Sequence, residues 1–307
     1  MASGVAGEGF SLQWTIGAAT ITSVLEMDPF SADPSVFIRT TAAEVLKNSD
    51  WLCPDFAGED GTIILNFQAF IVDIRGTRIM VDTCFGNDKP RENAMFTMLS
   101  GPFLERLNLV GYPPESIDYV LCTHLHTDHT GWNTRLVDGE WVPTFPNARY
   151  LFAQAEYDHA RTDERGNARA IFADSVEPIV EAGLARFVGP DYVIVDEVRL
   201  VPTPGHTPGH CSVVIASEGQ RAVISGDALH HPLQVALPDV GDNFSWDDAA
   251  AKSSRRRLLE GVASSGALLL GSHFSGPVGV YLEPHGDAWK IANSRQPERT
   301  AAPTARA

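Results

Sequence analysis

Tyr119-Val-Leu-Cys-Thr-His124-Leu-His126-Thr-Asp128-His129-Thr-Gly131 is the stretch on which the reading of this chain turns. Three histidines and an aspartate fall within six positions, directly after a short apolar run. A loop at the end of a strand can turn imidazoles and a carboxylate towards one point, which a regular helix at this spacing does less well. Neutral imidazole and carboxylate are the ligands zinc takes where a reactive water must be kept. The pattern therefore predicts a metal site built on a strand end.

Three further segments repeat the design. Pro202-Thr-Pro-Gly-His206-Thr-Pro-Gly-His210 follows the apolar run 199–201, and its prolines and glycines fix a tight loop. Asp227 follows the run 221–225 in Ser-Gly-Asp, and His273 follows Leu268-Leu-Leu270 in Gly-Ser-His-Phe. Active sites of α/β proteins collect where such loops converge at one sheet edge. Other short apolar runs, at 62–72, 78–82, 119–122, 150–152 and 211–216, read as strands. Helices are expected over 174–185, capped by Asp174 or Ser175, and over 246–262. For the second, Ser245 and Asp248 form a capping-box pattern and Gly261 marks the end. Alternating strands and helices imply a layered α/β architecture.

Taken together, these residues resemble the motif set of the metallo-β-lactamase superfamily, from about Thr62 to Phe274. The resemblance implies an α/β fold, an αββα sandwich of the metallo-β-lactamase type, with metals at one edge. It implies that His124, His126 and His206 take one metal, that Asp128, His129 and His273 take the second, and that Asp227 bridges them. Two Zn2+ per chain are expected, with Mn2+ or Fe2+ as alternatives. The implied activity is dinuclear metal-dependent hydrolysis, a metal-bound hydroxide attacking a lactone or carboxylic ester. No Gly-x-Ser-x-Gly elbow supplies a serine nucleophile instead.

The branches of the superfamily differ at residues visible here. The commonest zinc β-lactamases carry cysteine where Asp227 stands, and the oxygen-reducing diiron branch carries glutamate where His126 stands. The chain is most similar to the lactonase and methyl-parathion-hydrolase-like branch. Quorum-quenching lactonases carry tyrosine three residues after the bridging aspartate; here that position is His230, as in the methyl-parathion-hydrolase-like group. The 82 positions from His124 to His206 also match that larger group. The alternative activity is therefore organophosphate (phosphotriester) hydrolysis. A glyoxalase II-like thioesterase or a mononuclear iron sulfur dioxygenase stands behind it.

Several residues gain roles by the same resemblance. Asp128 is the candidate to pass a proton to the leaving group, and His230 to hydrogen-bond a substrate oxygen. Asp82, closing the run 78–82, is expected to orient a ligand imidazole from behind, and His210 to support the loop without ligating. Trp132 and Phe274, next to motif residues, are expected to wall an apolar pocket.

Composition bounds the remaining possibilities. The 307 residues, 44% hydrophobic, suffice for a sizeable core. A formal net charge of −16 repels phosphate backbones, so a small-molecule ester or lactone is expected as partner, with no nucleic acid. The one basic run, Arg255-Arg256-Arg257, reads as a solvated helix face. No membrane span is expected, because no apolar run approaches about 20 residues. Four scattered cysteines and an N-terminus without a signal pattern suggest a cytoplasmic setting, and the resemblance admits a homodimer. Residues 1–61 read as an N-terminal arm packing on, or lidding, a hydrolase domain of residues 62–293. Residues 294–307 read as a flexible tail.

Overall fold

The computed structural model describes residues 9–292 and 300–301. Two sheets lie back to back with helices outside each. The larger sheet orders its strands Ala185–Val188, Arg149–Ala153, Tyr119–Leu121, Thr77–Val81, Gln68–Ile74, Ala19–Leu25, Ser11–Ile16 and Thr300–Ala301. The smaller runs Val193–Val195, Val198–Pro202, Cys211–Ser217, Gln220–Ile224, Leu268–Leu270 and Gly279–Val280.

The αββα layering follows from the period-2 alternation of the central strands. In Gln68–Ile74, Phe70, Val72 and Ile74 face the space between the sheets, where they join Ile79, Val81 and Leu121. There they meet Leu200, Val213, Ile215, Ile224, Leu268 and Leu270 of the second sheet. The alternate residues Ala69 and Ile71 pack outward with Phe103 and Leu107 of the helix Phe103–Leu109. A strand covered on both faces reads as a continuous apolar run, which is why 68–74 shows no polar alternation.

The expected arm divides in two. Residues 11–25 are no arm: they form two antiparallel strands inside the larger sheet, pairing Ala19–Leu25 with Gln68–Ile74. Beyond them, Phe37, Ile38, Val45, Leu52 and Phe56 pack with Leu258, Leu259 and Val262 of the helix Asp248–Ser265. The tail 294–307 lies outside the described residues apart from Thr300–Ala301, which pair with Leu12 and Gln13. The run 62–72 is split into Ile63–Leu65 and Gln68–Ile74.

Both predicted helices need correction at their ends. The helix Asp248–Ser265 is capped by Asp247, whose carboxylate accepts from the Ala250 N–H at 3.0 Å, and it runs through Gly261 to a left-handed Gly266. Ser245 instead donates to Asp242 Oδ2 at 2.6 Å. The other helical stretch begins at Ala168, passes through a π turn at Phe172–Val176 and ends at Glu181. Asp174 caps nothing there; its carboxylate takes Arg91 at 2.6 and 2.9 Å and Lys89 at 3.4 Å.

The basic run is not a uniform solvated face. Arg255 is fully buried and donates to the carbonyls of Ala228, Pro238 and Val240 at 2.6–2.9 Å, with Asp242 at 3.7 Å. Arg256 and Arg257 keep the exposed positions. Among the described residues no helix is long and apolar enough to cross a membrane.

Candidate metal centre

Five strands deliver their C-terminal ends to one edge of the sandwich. Thr77–Val81 and Tyr119–Leu121 are parallel neighbours, as are Gln220–Ile224 and Leu268–Leu270. Val198–Pro202 shares the direction of the latter pair, being two antiparallel steps from Gln220–Ile224. Asp82, His124, His206, Asp227 and His273 each follow one of these ends, so residues up to 191 positions apart in sequence converge at one place.

Two groups of side chains meet around Asp227, and a third, His206, His230 and Asp242, shares His206 with the first. His124, His126, His206 and Asp227 form one, and Asp128, His129 and His273 the other, the candidate ligand atoms of each lying within 4.8 Å of one another. Asp227 stands between them. Its Oδ2 lies 3.6 Å from His124 Nε2 and 3.2 Å from His206 Nε2, whereas its Oδ1 lies 3.2 Å from His129 Nε2 and 3.0 Å from His273 Nε2. Asp128 Oδ2 lies 3.6 Å from both His129 Nε2 and His273 Nε2. Ligands held about 2.1 Å from a tetrahedral cation stand about 3.4 Å apart, so these separations suit an ion in each group. Several candidate ligand atoms also lack other work: His124 Nε2, His129 Nε2 and Asp227 Oδ1 are buried without a hydrogen-bond partner among the described residues. The donor set fits two cations.

The rings are aimed from behind. His129 Nδ1 is 2.9 Å from Asp82 Oδ2, and His273 Nδ1 is 3.0 Å from the Asn66 carbonyl, so each ring donates outward and turns Nε2 to the centre. Asp82 also accepts from the Thr123 N–H at 2.7 Å and its hydroxyl at 2.9 Å, tying the strand end to the residue before His124. The Asp227 N–H donates to His210 Nε2 at 2.9 Å, which places the His210 proton on Nδ1, 3.1 Å from the Thr203 carbonyl. Burial pulls His210 down to about pKa 3 and His126 likewise to about 3, keeping both rings neutral. Gly131 closes the loop because a Cβ there would lie 1.7 Å from the Phe85 carbonyl oxygen.

Asp82 has φ 60°, a left-handed conformation that asparagine tolerates. Asp82→Asn therefore leaves the backbone in place, removes the charge behind His129 and turns one of the two acceptor oxygens into an NH2 that faces either the His129 ring or the Thr123 N–H. A loss of about 10–100-fold in metal affinity is expected, read by chelator competition; unchanged affinity would remove Asp82 from this role.

The centre opens into a cavity of about 450 Å³. Phe67, Phe85, Phe96 and Phe244 wall one part, and Leu125, Ile171 and Phe172 another, with His230 beside Asp227 at the base. The segment after the strand hairpin contributes Val36 and Phe37 to the lining. Two expected wall residues are placed elsewhere. Trp132 is buried behind the loop, donating to Glu26 Oε1 at 2.8 Å and stacking on Phe103, and Phe274 is fully buried against Phe56. Neighbours of candidate ligands in sequence, they point into the core.

Three acidic residues were not read from the sequence. Asp242 Oδ1 stands 3.6 Å from His206 Nδ1. Glu26 accepts from the Phe85 and Gly86 N–H groups at 2.8 and 2.9 Å, and burial pushes it up to about pKa 7. Glu156 accepts from Leu125 and Gly209. Only Asp242 carries a local signal, the Asp-Asn-Phe-Ser turn in which it accepts from the N–H groups of Phe244 and Ser245.

Known proteins align with this arrangement. An N-acyl homoserine lactonase of Bacillus sp is 28% identical over 219 residues, 66% of this chain and 79% of that protein. The N-acyl homoserine lactonase of Bacillus cereus is 31% identical over 170 residues, 54% of this chain and 60% of that one. Among solved structures, hydrolase AbOPH of the beta lactamase superfamily has a TM-score of 0.77 at 22% identity, covering 94% of this chain and 99% of its own. AidC, a dizinc quorum-quenching lactonase, has a TM-score of 0.74 at 20% identity, covering 92% and 97%; both likenesses are of fold. The family model of the metallo-beta-lactamase superfamily matches residues 68–271, spanning all five strand ends and every candidate ligand except His273, and the chain belongs to that superfamily.

Proposed function

We propose that this chain is a dinuclear metal hydrolase of lactones and carboxylic esters, holding two Zn2+. The observation that carries the reading is the Asp227 carboxylate, with one oxygen facing each histidine group. His124, His126 and His206 would hold one ion and Asp128, His129 and His273 the other. Bound there, two such ions make water nucleophilic near neutral pH and polarise a carbonyl. The kinship with N-acyl homoserine lactonases supports a lactone as the substrate class.

The chain's own residues do the rest. The phenylalanine wall seats an apolar acyl part and excludes water around the reacting carbonyl. Asp128, whose side chain is 18% exposed against 5% for Asp227, faces the cavity and can pass a proton to the departing oxygen. Both ring nitrogens of His230 lack a hydrogen-bond partner among the described residues, and the ring lines the cavity, so it can donate to a substrate oxygen. A reducing, cytoplasmic setting is supported by four unpaired cysteines, three of them buried.

His230 also favours a second reading, phosphotriester hydrolysis, because a donor at that place suits a phosphoryl oxygen as well as a carbonyl. The test is a panel of lactones, aryl esters and phosphotriesters with zinc-loaded protein. Lactone and ester turnover well above phosphotriester turnover is expected; the reverse order would establish the second reading. His230→Phe is expected to change the lactone-to-phosphotriester ratio by about tenfold, one lost hydrogen bond's worth, with metal content retained. An unchanged ratio would take His230 out of substrate recognition.

A further inference from the structure

We infer that Glu156 is a positioning residue that clamps together the two loops carrying the first group of metal ligands. The inference rests on the dinuclear reading above and names the part that holds one half of it in shape.

Glu156 sits in the first turn of the helix Gln154–Ala160, directly after the strand Arg149–Ala153, and is 3% exposed. Its Oε1 accepts from the Leu125 N–H at 3.0 Å, and Leu125 lies between His124 and His126. Its Oε2 accepts from the Gly209 N–H at 2.9 Å, in the loop that carries His206. One carboxylate thus holds two loops at points 84 positions apart in sequence, and the candidate ligands flanking those points, His124 and His126 on one loop and His206 on the other, belong to the first group, while Asp128 and His129 follow further along the first loop. The second loop comes close enough because residue 209 is glycine: a Cβ there would lie 2.2 Å from the Glu156 backbone nitrogen.

The other group is oriented differently. His129 leans on Asp82 and His273 on the Asn66 carbonyl, neither of which touches Glu156. Weakening Glu156 should therefore loosen one ion and spare the other. A purely structural buried carboxylate would loosen both or neither. Glutamine in its place keeps the size, but its amide NH2 must face one of the two N–H donors, so one loop loses its acceptor. Aspartate keeps the charge and falls short by one methylene.

The experiment is chelator competition on zinc-loaded full-length chains, with bound zinc counted by elemental analysis. The unaltered chain is expected to hold about two ions, and fewer would count against the dinuclear reading itself. Glu156→Gln is expected to release one of its two ions about 10–100-fold more readily while keeping the other at its original affinity. Thermal unfolding should show a larger loss with zinc present than without it. Should Glu156→Gln fail to fold, Glu156→Asp is measured the same way, with a smaller but equally one-sided loss expected. If the unaltered chain holds two ions and the folded variant holds both as tightly, or loses both together, the inference is overturned.

Discussion

Asp227→Asn is expected to lower lactone hydrolysis by about a thousandfold or more and to leave the chain folded. Asparagine keeps one acceptor oxygen and replaces the other with an NH2 group, which repels a cation. Whichever way the amide turns, one histidine group loses its shared ligand, since Oδ2 serves His124 and His206 while Oδ1 serves His129 and His273. A metal that polarises the substrate contributes several kcal/mol to transition-state stabilisation, and about 4 kcal/mol corresponds to a thousandfold in rate. The fold should survive because the bond fixing this position is the Asp227 N–H to His210, which the side chain does not enter. Zinc content, kcat/KM and circular dichroism together check the prediction. Native activity with native zinc content in the variant would refute the bridging role.

The second large effect concerns stability. Arg255→Met is expected to destabilise the chain by about 3–5 kcal/mol, the cost of leaving a buried charge without its partner. Burial pulls Arg255 down only to about pKa 10, so it is a cation at neutral pH, and it is fully enclosed. Its guanidinium satisfies three carbonyls and faces Asp242 at 3.7 Å. Methionine fills the space of the stem and none of the hydrogen bonds. Because Asp242 also stands 3.6 Å from His206 Nδ1, the loss should reach the metal site as weaker zinc retention. Urea unfolding at constant slope measures the first effect; a change under about 0.5 kcal/mol would show that the carbonyl cluster does not need its cation.

Arg255 also shows what could be read in the sequence and was not. Three consecutive arginines read as a solvated face, yet Ala251, Ser254, Arg255, Leu258, Leu259 and Val262 are the buried positions of this helix, spaced at helical intervals. The apolar spacing places Arg255 on the core side; the charge run conceals it. The hairpin Ser11–Leu25 had a comparable signal, Trp14, Ile16 and Ile21 about the turn at Gly17, where φ is 57°. Its membership of the sheet depended on pairing with Gln68–Ile74, more than forty residues on.

The convergence of the candidate ligands was legible because His124, His206, Asp227 and His273 each sit three or four residues past a strand, with His126, Asp128 and His129 following on the first loop, so local spacing carried the information. The residues that hold them are less visible. Glu26 reaches Trp132 across 106 positions and Glu156 reaches Gly209 across 53, and no motif surrounds either. Side-chain direction was likewise hidden: Phe274 follows a candidate ligand, while Phe67 and Phe96, far from any motif, wall the cavity.

Zinc anomalous scattering from crystals of the unaltered chain tests the central claim most directly. Two peaks are expected, one among His124, His126 and His206, the other among Asp128, His129 and His273, with Asp227 between them. A single peak, or a second one lying away from His129 and His273, would contradict the two-ion centre.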